Sequence, residues 1–95
     1  METKNKLVDA IVKGIQEKKG QDIVIADLRE VDGSIANYFV ICQGSSPSQV
    51  EAIADSVSET ARIDAGEKPI NVVGLPQAYW VGMDYGDVLV HIFIP

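Results

Sequence analysis

Cysteine, histidine and tryptophan occur once each in these 95 residues, as Cys42, His91 and Trp80. A lone cysteine cannot close a disulfide within the chain, so cross-linking is excluded as a source of stability and a reducing compartment fits. One cysteine with one histidine cannot supply the ligands of an ordinary zinc site. No apolar run approaches the roughly 20 residues that cross a bilayer, which leaves no membrane partner. No signal-peptide pattern is visible at the N-terminus, so the expected location is cytoplasmic. Basic residues are also scarce, with 8 Lys and Arg against 14 Asp and Glu for a net charge of −6. Nucleic acid repels such a surface, so little direct nucleic-acid binding is expected. The one basic concentration, Lys4, Lys6, Lys13, Lys18 and Lys19, falls on a helical segment and reads as a solvated face.

What is present is apolar and evenly spread. At 46% hydrophobic residues the chain reads as one globular domain over 1–95. A domain this small buries its surface inefficiently, so docking to a partner, or weak homodimerisation, is expected. An acidic domain is best matched to a basic protein, and electrostatic steering would speed that encounter.

Leu7, Val8, Ile11, Val12 and Ile15 recur at helical spacing. The helix they form is expected to end at Gly20, with Lys18 and Lys19 in its last turn, where cations suit the dipole. Gly14 lies inside it without an evident reason. Asp22 to Leu28 reads as a strand buried on both faces, from its Ile23-Val24-Ile25 run. Asp32-Gly33-Ser34 marks a turn, and Tyr38 to Cys42 the next strand, with Cys42 a small buried side chain. Ser46 can cap a helix beginning at Pro47, and Gln49 completes an S-x-x-Q capping box. Val50, Ile53, Ala54, Val57 and Ala61 share the inner face of that helix. Glu51, Asp55 and Glu59 repel one another on a solvent face, and Gly66 ends it. Pro69 to Val73 is a short strand and Gly74-Leu75-Pro76-Gln77 a loop. Two last strands meet at Asp84-Tyr85-Gly86-Asp87 in a tight hairpin. The arm Val88 to Phe93 is apolar at almost every position and reads as a central strand covered on both faces. The order helix, strand, strand, helix, strand, strand, strand predicts a single-domain α/β fold with a mixed β-sheet and covering helices.

Three places invite chemistry. Gly44-Ser45 before a helix is where a phosphate could sit, or a nucleotidyltransferase could begin. The loop lacks the lysine and glycine spacing of a P-loop, and no following strand carries carboxylates two apart to hold metal. Asp84 and Asp87 bracket the hairpin turn, where they can cap backbone or bind a cation. His91 lies in an apolar strand and reads as a histidine satisfied by a hydrogen bond. Tyr38 and Tyr85 fall near strand ends, where a hydroxyl reaches water. Trp80 and Tyr79 suit either an interface or a core. The residues thus leave open a non-catalytic binding protein, a nucleotide-binding enzyme using Gly44, Ser45, Asp84 and Asp87, and an RNA-binding module.

Two blocks go further. Ala36-Asn37-Tyr38-Phe39-Val40-Ile41-Cys42-Gln43-Gly44-Ser45-Ser46 and Trp80-Val81-Gly82-Met83-Asp84-Tyr85-Gly86-Asp87-Val88-Leu89-Val90-His91-Ile92-Phe93 closely resemble the ribosomal silencing factor family, also called Iojap or RsfS. Gly20-Gln21-Asp22-Ile23-Val24 and Gln49 to Asp55 extend the match in the family's order. The resemblance implies a nucleotidyltransferase-like α/β fold without nucleotidyl transfer, and no cofactor, metal or catalytic residue. It also implies binding to the large ribosomal subunit through its basic protein L-fourteen, which would block small-subunit joining and repress translation. Carried over by position, Trp80, Asp84, Tyr85, Gly86 and Asp87 match the docking block, and Asn37, Tyr38, Ser45 and Ser46 the other. Asn37 stands where the family commonly has Asp. The resemblance further implies a C-terminal tail beyond the last strand, which these residues lack; docking would weaken if that tail contributes.

Overall fold

The computed structural model describes residues 5–75 and 77–95; Lys4 and Pro76 lie outside them. Asn5 caps α1 (Lys6–Glu17), its side chain accepting from the Val8 N–H at 3.1 Å. The apolar stripe then places Leu7, Val8, Ala10, Ile11, Gly14 and Ile15 on one buried face. The helix closes earlier than its lysines suggest. The N–H groups of Lys18 and Gly20 both turn back to the Ile15 carbonyl. Lys18 is therefore the cap and Lys19 sits at φ 60°, so neither lies in the last turn.

The strands are β1 (Gln21–Asp27), β2 (Tyr38–Gln43), β3 (Asn71–Val73), β4 (Trp80–Asp84) and β5 (Val88–Phe93), with α2 (Pro47–Ala65) between β2 and β3. Pro69 leads into β3 without being part of it. All five form one mixed sheet in the order β1-β2-β5-β4-β3. Only β2 and β5 pair in parallel; the other three pairings are antiparallel. The α/β architecture with a mixed sheet is thus the one expected.

Ser46 caps α2 as its sequence predicts, its hydroxyl accepting from the Gln49 N–H at 3.1 Å. The reciprocal half of the capping box is not made. Gln49 Oε1 instead accepts from the Ser45 N–H at 2.6 Å and the Ser45 hydroxyl at 2.8 Å. Its Nε2 donates to the carbonyls of Lys18 and Lys19. One glutamine therefore ties the end of α1 to the start of α2. At the far end Gly66 adopts φ 67°, and Glu51, Asp55 and Glu59 are all exposed.

The two helices meet closely, and Gly14 is the reason. A methyl group at Gly14 would lie 2.5 Å from Thr60 Oγ1, 2.8 Å from Val57 Cα and 2.9 Å from the Ser56 carbonyl oxygen. With no side chain there, Ser56 donates to the Gly14 carbonyl at 2.8 Å and Thr60 to the Ala10 carbonyl at 2.7 Å. These hydroxyls are buried and satisfied. Ile11, Ile15, Ile53 and Val57 then pack with Val40, Cys42, Val81, Val88, Val90 and Ile92 in one core.

Both helices therefore cover the same face of the sheet, which corrects two expectations. β5 is the central strand, but its burial alternates between buried and half-buried, so only one face is covered. β1 is an edge strand with a register shift between Gln21 and Val24, and Val24 is 53% exposed. In both cases continuous apolar sequence reflects a second apolar face that no described element covers, not a second helical layer.

Gly14→Ala tests the helix contact. Alanine is the better helix former by up to about 1 kcal/mol, so an uncrowded site would be stabilised. We expect a net loss of about 1–3 kcal/mol from overpacking, read as a lower urea midpoint with an unchanged slope.

Candidate functional site on the open face of the sheet

Strand register maps the uncovered face. One row runs Val24, Ile41, His91, Gly82, Val73 across all five strands. The next runs Ala26, Phe39, Leu89, Asp84, Asn71. A third joins Gln43, Phe93 and Trp80. A solvated sheet face is normally polar; these rows are mostly apolar and carry one carboxylate, Asp84. Half-exposed apolar side chains continued by exposed Val24, Val73 and Trp80 make this face the candidate binding surface.

Aromatic rings gather at its centre. The His91 ring lies between Trp80, with centroids 5.5 Å apart, and Phe39, at 5.7 Å. His91 thus engages its neighbours through ring contacts, in place of the hydrogen bond expected for it. Partial burial disfavours its charged form and lowers its pKa. Gly82 makes room for the indole, since a methyl group there would lie 3.0 Å from Trp80 Cη2. Trp80 remains 46% exposed and Tyr79, beside it in sequence, 65%. Trp80 therefore belongs to the surface.

The other residues singled out in the sequence divide between the two ends of the sheet. Asp84, Tyr85, Gly86, Asp87, Asn37 and Tyr38 come together at the hairpin end. Asp84 Oδ1 accepts from the Gly86 N–H at 2.7 Å, Gly86 takes φ 88°, and the Asp87 carbonyl accepts from the N–H groups of Asn37 and Tyr38. The two tyrosines differ. Tyr38 is buried beneath the Arg29 guanidinium, 5.4 Å from its ring centroid. The Tyr85 hydroxyl is buried with no hydrogen-bond partner among the described residues, and burial pushes its pKa up to about 12. Strand ends at the surface suggested water; both rings pack in the core, and among the described residues the Tyr85 hydroxyl is the one cut off from solvent without a partner. Ser45 and Ser46 sit at the opposite end, where the Gly44 N–H donates to the Phe93 carbonyl.

These contacts bear on chemistry. The Ser45 N–H and hydroxyl both serve Gln49, so they are not presented to an anion. Burial raises the Cys42 pKa to about 12, which suppresses the reactive thiolate. No group of three or more His, Cys, Asp or Glu able to hold a metal occurs among the described residues. No described helix is long and apolar enough to cross a membrane. Sequence reasoning singled out Trp80 and Asp84, which share this face, but not Phe39, Ile41, Gly82, Leu89 and Phe93 beside them. Shared parity with Trp80 along the hairpin was the signal available for Gly82, Leu89 and Phe93; Phe39 and Ile41 join through the parallel pairing of β2 with β5.

The lowered His91 pKa has a stability consequence. The folded state binds this proton less readily than the unfolded chain, whose histidine titrates near 6.5. The stabilisation is present above that pH and is lost as pH falls below it toward the lower folded-state value. Urea midpoints should drop as the pH is taken below about 6.5, and His91→Phe should flatten that drop. An equal drop in the variant would assign it to other groups. Asp27 titrates in a separate window, because Arg29 holds its carboxyl down at about 2.

Comparison with known proteins meets this geometry. The family model described as "Ribosomal silencing factor during starvation" matches residues 1–95. Ribosomal silencing factor RsfS of Halalkalibacterium halodurans is 36% identical over 87 residues, covering 92% of this chain and 73% of that protein. The RsfS of Bacillus subtilis is 38% identical over 77 residues, 81% of this chain and 64% of that protein. Protein Iojap, chloroplastic, of Zea mays is 30% identical, with 90% of this chain and 36% of that protein covered. A crystal structure of a Chromobacterium violaceum protein superposes with a TM-score of 0.87 at 29% identity, covering 100% of this chain and 77% of that one. A sheet layered on one side by helices, the two signature blocks within it and these matches agree: the chain belongs to the ribosomal silencing factor family.

Proposed function

We propose that this protein represses translation by docking its open sheet face on the large ribosomal subunit, through the basic protein L-fourteen, so that its bulk blocks small-subunit joining. The observation that supports this most is the apolar face itself. Three rows of strand residues, with Trp80 46% exposed among them, are left uncovered on a domain of net charge −6. Such a face needs a partner to desolvate it, and acidic surroundings select a basic one.

The action is steric exclusion in the cytoplasm, and no bond is made or broken. Trp80 and Asp84 contribute directly to the contact, and Tyr85, Gly86 and Asp87 shape the hairpin that carries Asp84. Asn37 and Tyr38 brace that hairpin through the Asp87 carbonyl. Ser45 and Ser46 hold the other end of the sheet against α2.

Co-sedimentation with purified large subunits at low salt tests the reading. The wild-type chain should pellet with the subunit and slow its joining to small subunits. Trp80→Ala should weaken co-sedimentation about tenfold or more, with its far-UV circular dichroism intact. Joining at an unchanged rate under saturating protein would refute the steric mechanism.

A further inference from the structure

The open face is not uniformly flat. Between the β3 edge and β5 it holds a groove of about 150 Å³ lined by Val73, Trp80, Gly82, Asp84, Leu89 and His91. A water takes up about 30 Å³ of liquid, so the groove has room for on the order of one large side chain. Gly82 lines it beneath the edge of the Trp80 indole, which lies where a Gly82 side chain would stand. The Trp80 indole and the His91 ring wall one side, and Asp84 stands in the adjacent row.

Two features of Asp84 decide the occupant. Among the strand residues of the mapped rows it is the one carboxylate. Its Oδ1 is engaged by the Gly86 N–H, which fixes the side chain, while Oδ2 has no partner among the described residues. An oriented carboxylate lining the same groove as an indole suits a cation with an apolar stem. Arginine fits best, because its guanidinium stacks on aromatic faces and matches carboxylate geometry.

We propose that this groove is a specificity pocket for a single arginine side chain of the basic partner, its methylenes lying on the Trp80 indole and its guanidinium reaching Asp84. This rests on the docking reading above and names the chemistry that the face selects. Net charge of −6 draws basic surfaces in general; the groove admits one side chain in one orientation.

Trp80 is the chain's single tryptophan, so its fluorescence reports on the groove directly. Titration with an acetylated, amidated tetra-arginine peptide at low salt should give a saturable change in wild-type emission. Asp84→Asn keeps a carbonyl oxygen for the Gly86 N–H, preserving the turn, and should weaken binding at least tenfold. Asp55→Asn, on the exposed face of α2, removes the same charge elsewhere and should bind within about twofold of wild type. Equal binding by Asp84→Asn and wild type, equal losses in both variants, or no saturable change would overturn the assignment. The same proteins are then sedimented with large subunits. If the peptide result holds and wild type ignores the subunit, the ribosome reading falls and the groove stands. If wild type binds the subunit and Asp84→Asn matches it in both assays, the groove falls and the docking face stands.

Discussion

The close crossing of α1 and α2 sets the form of this molecule. Gly14 lets one helix backbone settle against the other, and the Ser56 and Thr60 hydroxyls reach across to carbonyls of α1. The pair then behaves as a single layer. That layer lies against β2, β5 and β4 on one side and leaves the opposite side bare. Overpacked helices would have to separate, and the core beneath would open with them. The same contact that closes one face of the sheet therefore leaves the other free of both helices.

The protein's long-range and short-range forces occupy different places. Glu51, Asp55 and Glu59 project from α2, on the side away from the open face. They contribute a negative field that acts over about 10 Å at ordinary ionic strength and raises encounter rates with basic surfaces. The open face itself is nearly uncharged, with His91 held toward its neutral form and Asp84 fixed in its turn. In the proposed docking, apolar contact there sets how long the complex lasts. Mutations in the two regions are thus separable, one set acting on association and the other on dissociation.

Much of the fold was legible because its signals are local. The stripe of Leu7 to Ile15, the Ser46-Pro47 helix start, the Gly66 stop and the Asp84–Asp87 reversal each depend on neighbours within a few residues. Trp80 and Asp84 were found through the motif they share. What escaped was decided at long range. An apolar run such as Val88–Phe93 looks the same whether its second face meets a helix of its own chain or a surface of another, and only the placement of both helices separates the cases. Tyr85 misled for the same reason, since proximity to a turn does not say which way a ring points. Gly14 had no local explanation because its partners lie more than forty residues away. Gln49 shows the limit of a motif: the residue type was right, and α1 supplied a better use for its amide than the reciprocal cap.

Strand order carries a consequence for synthesis. β5 follows every other strand in the sequence yet occupies the middle of the sheet, between β2 and β4. All three apolar rows pass through it, at Leu89, His91 and Phe93. While a nascent chain still holds β5 inside the exit tunnel, β2 has no parallel neighbour and β4 no hairpin mate, so the open face does not yet exist. The open face is therefore completed late, after nearly all of these residues have emerged.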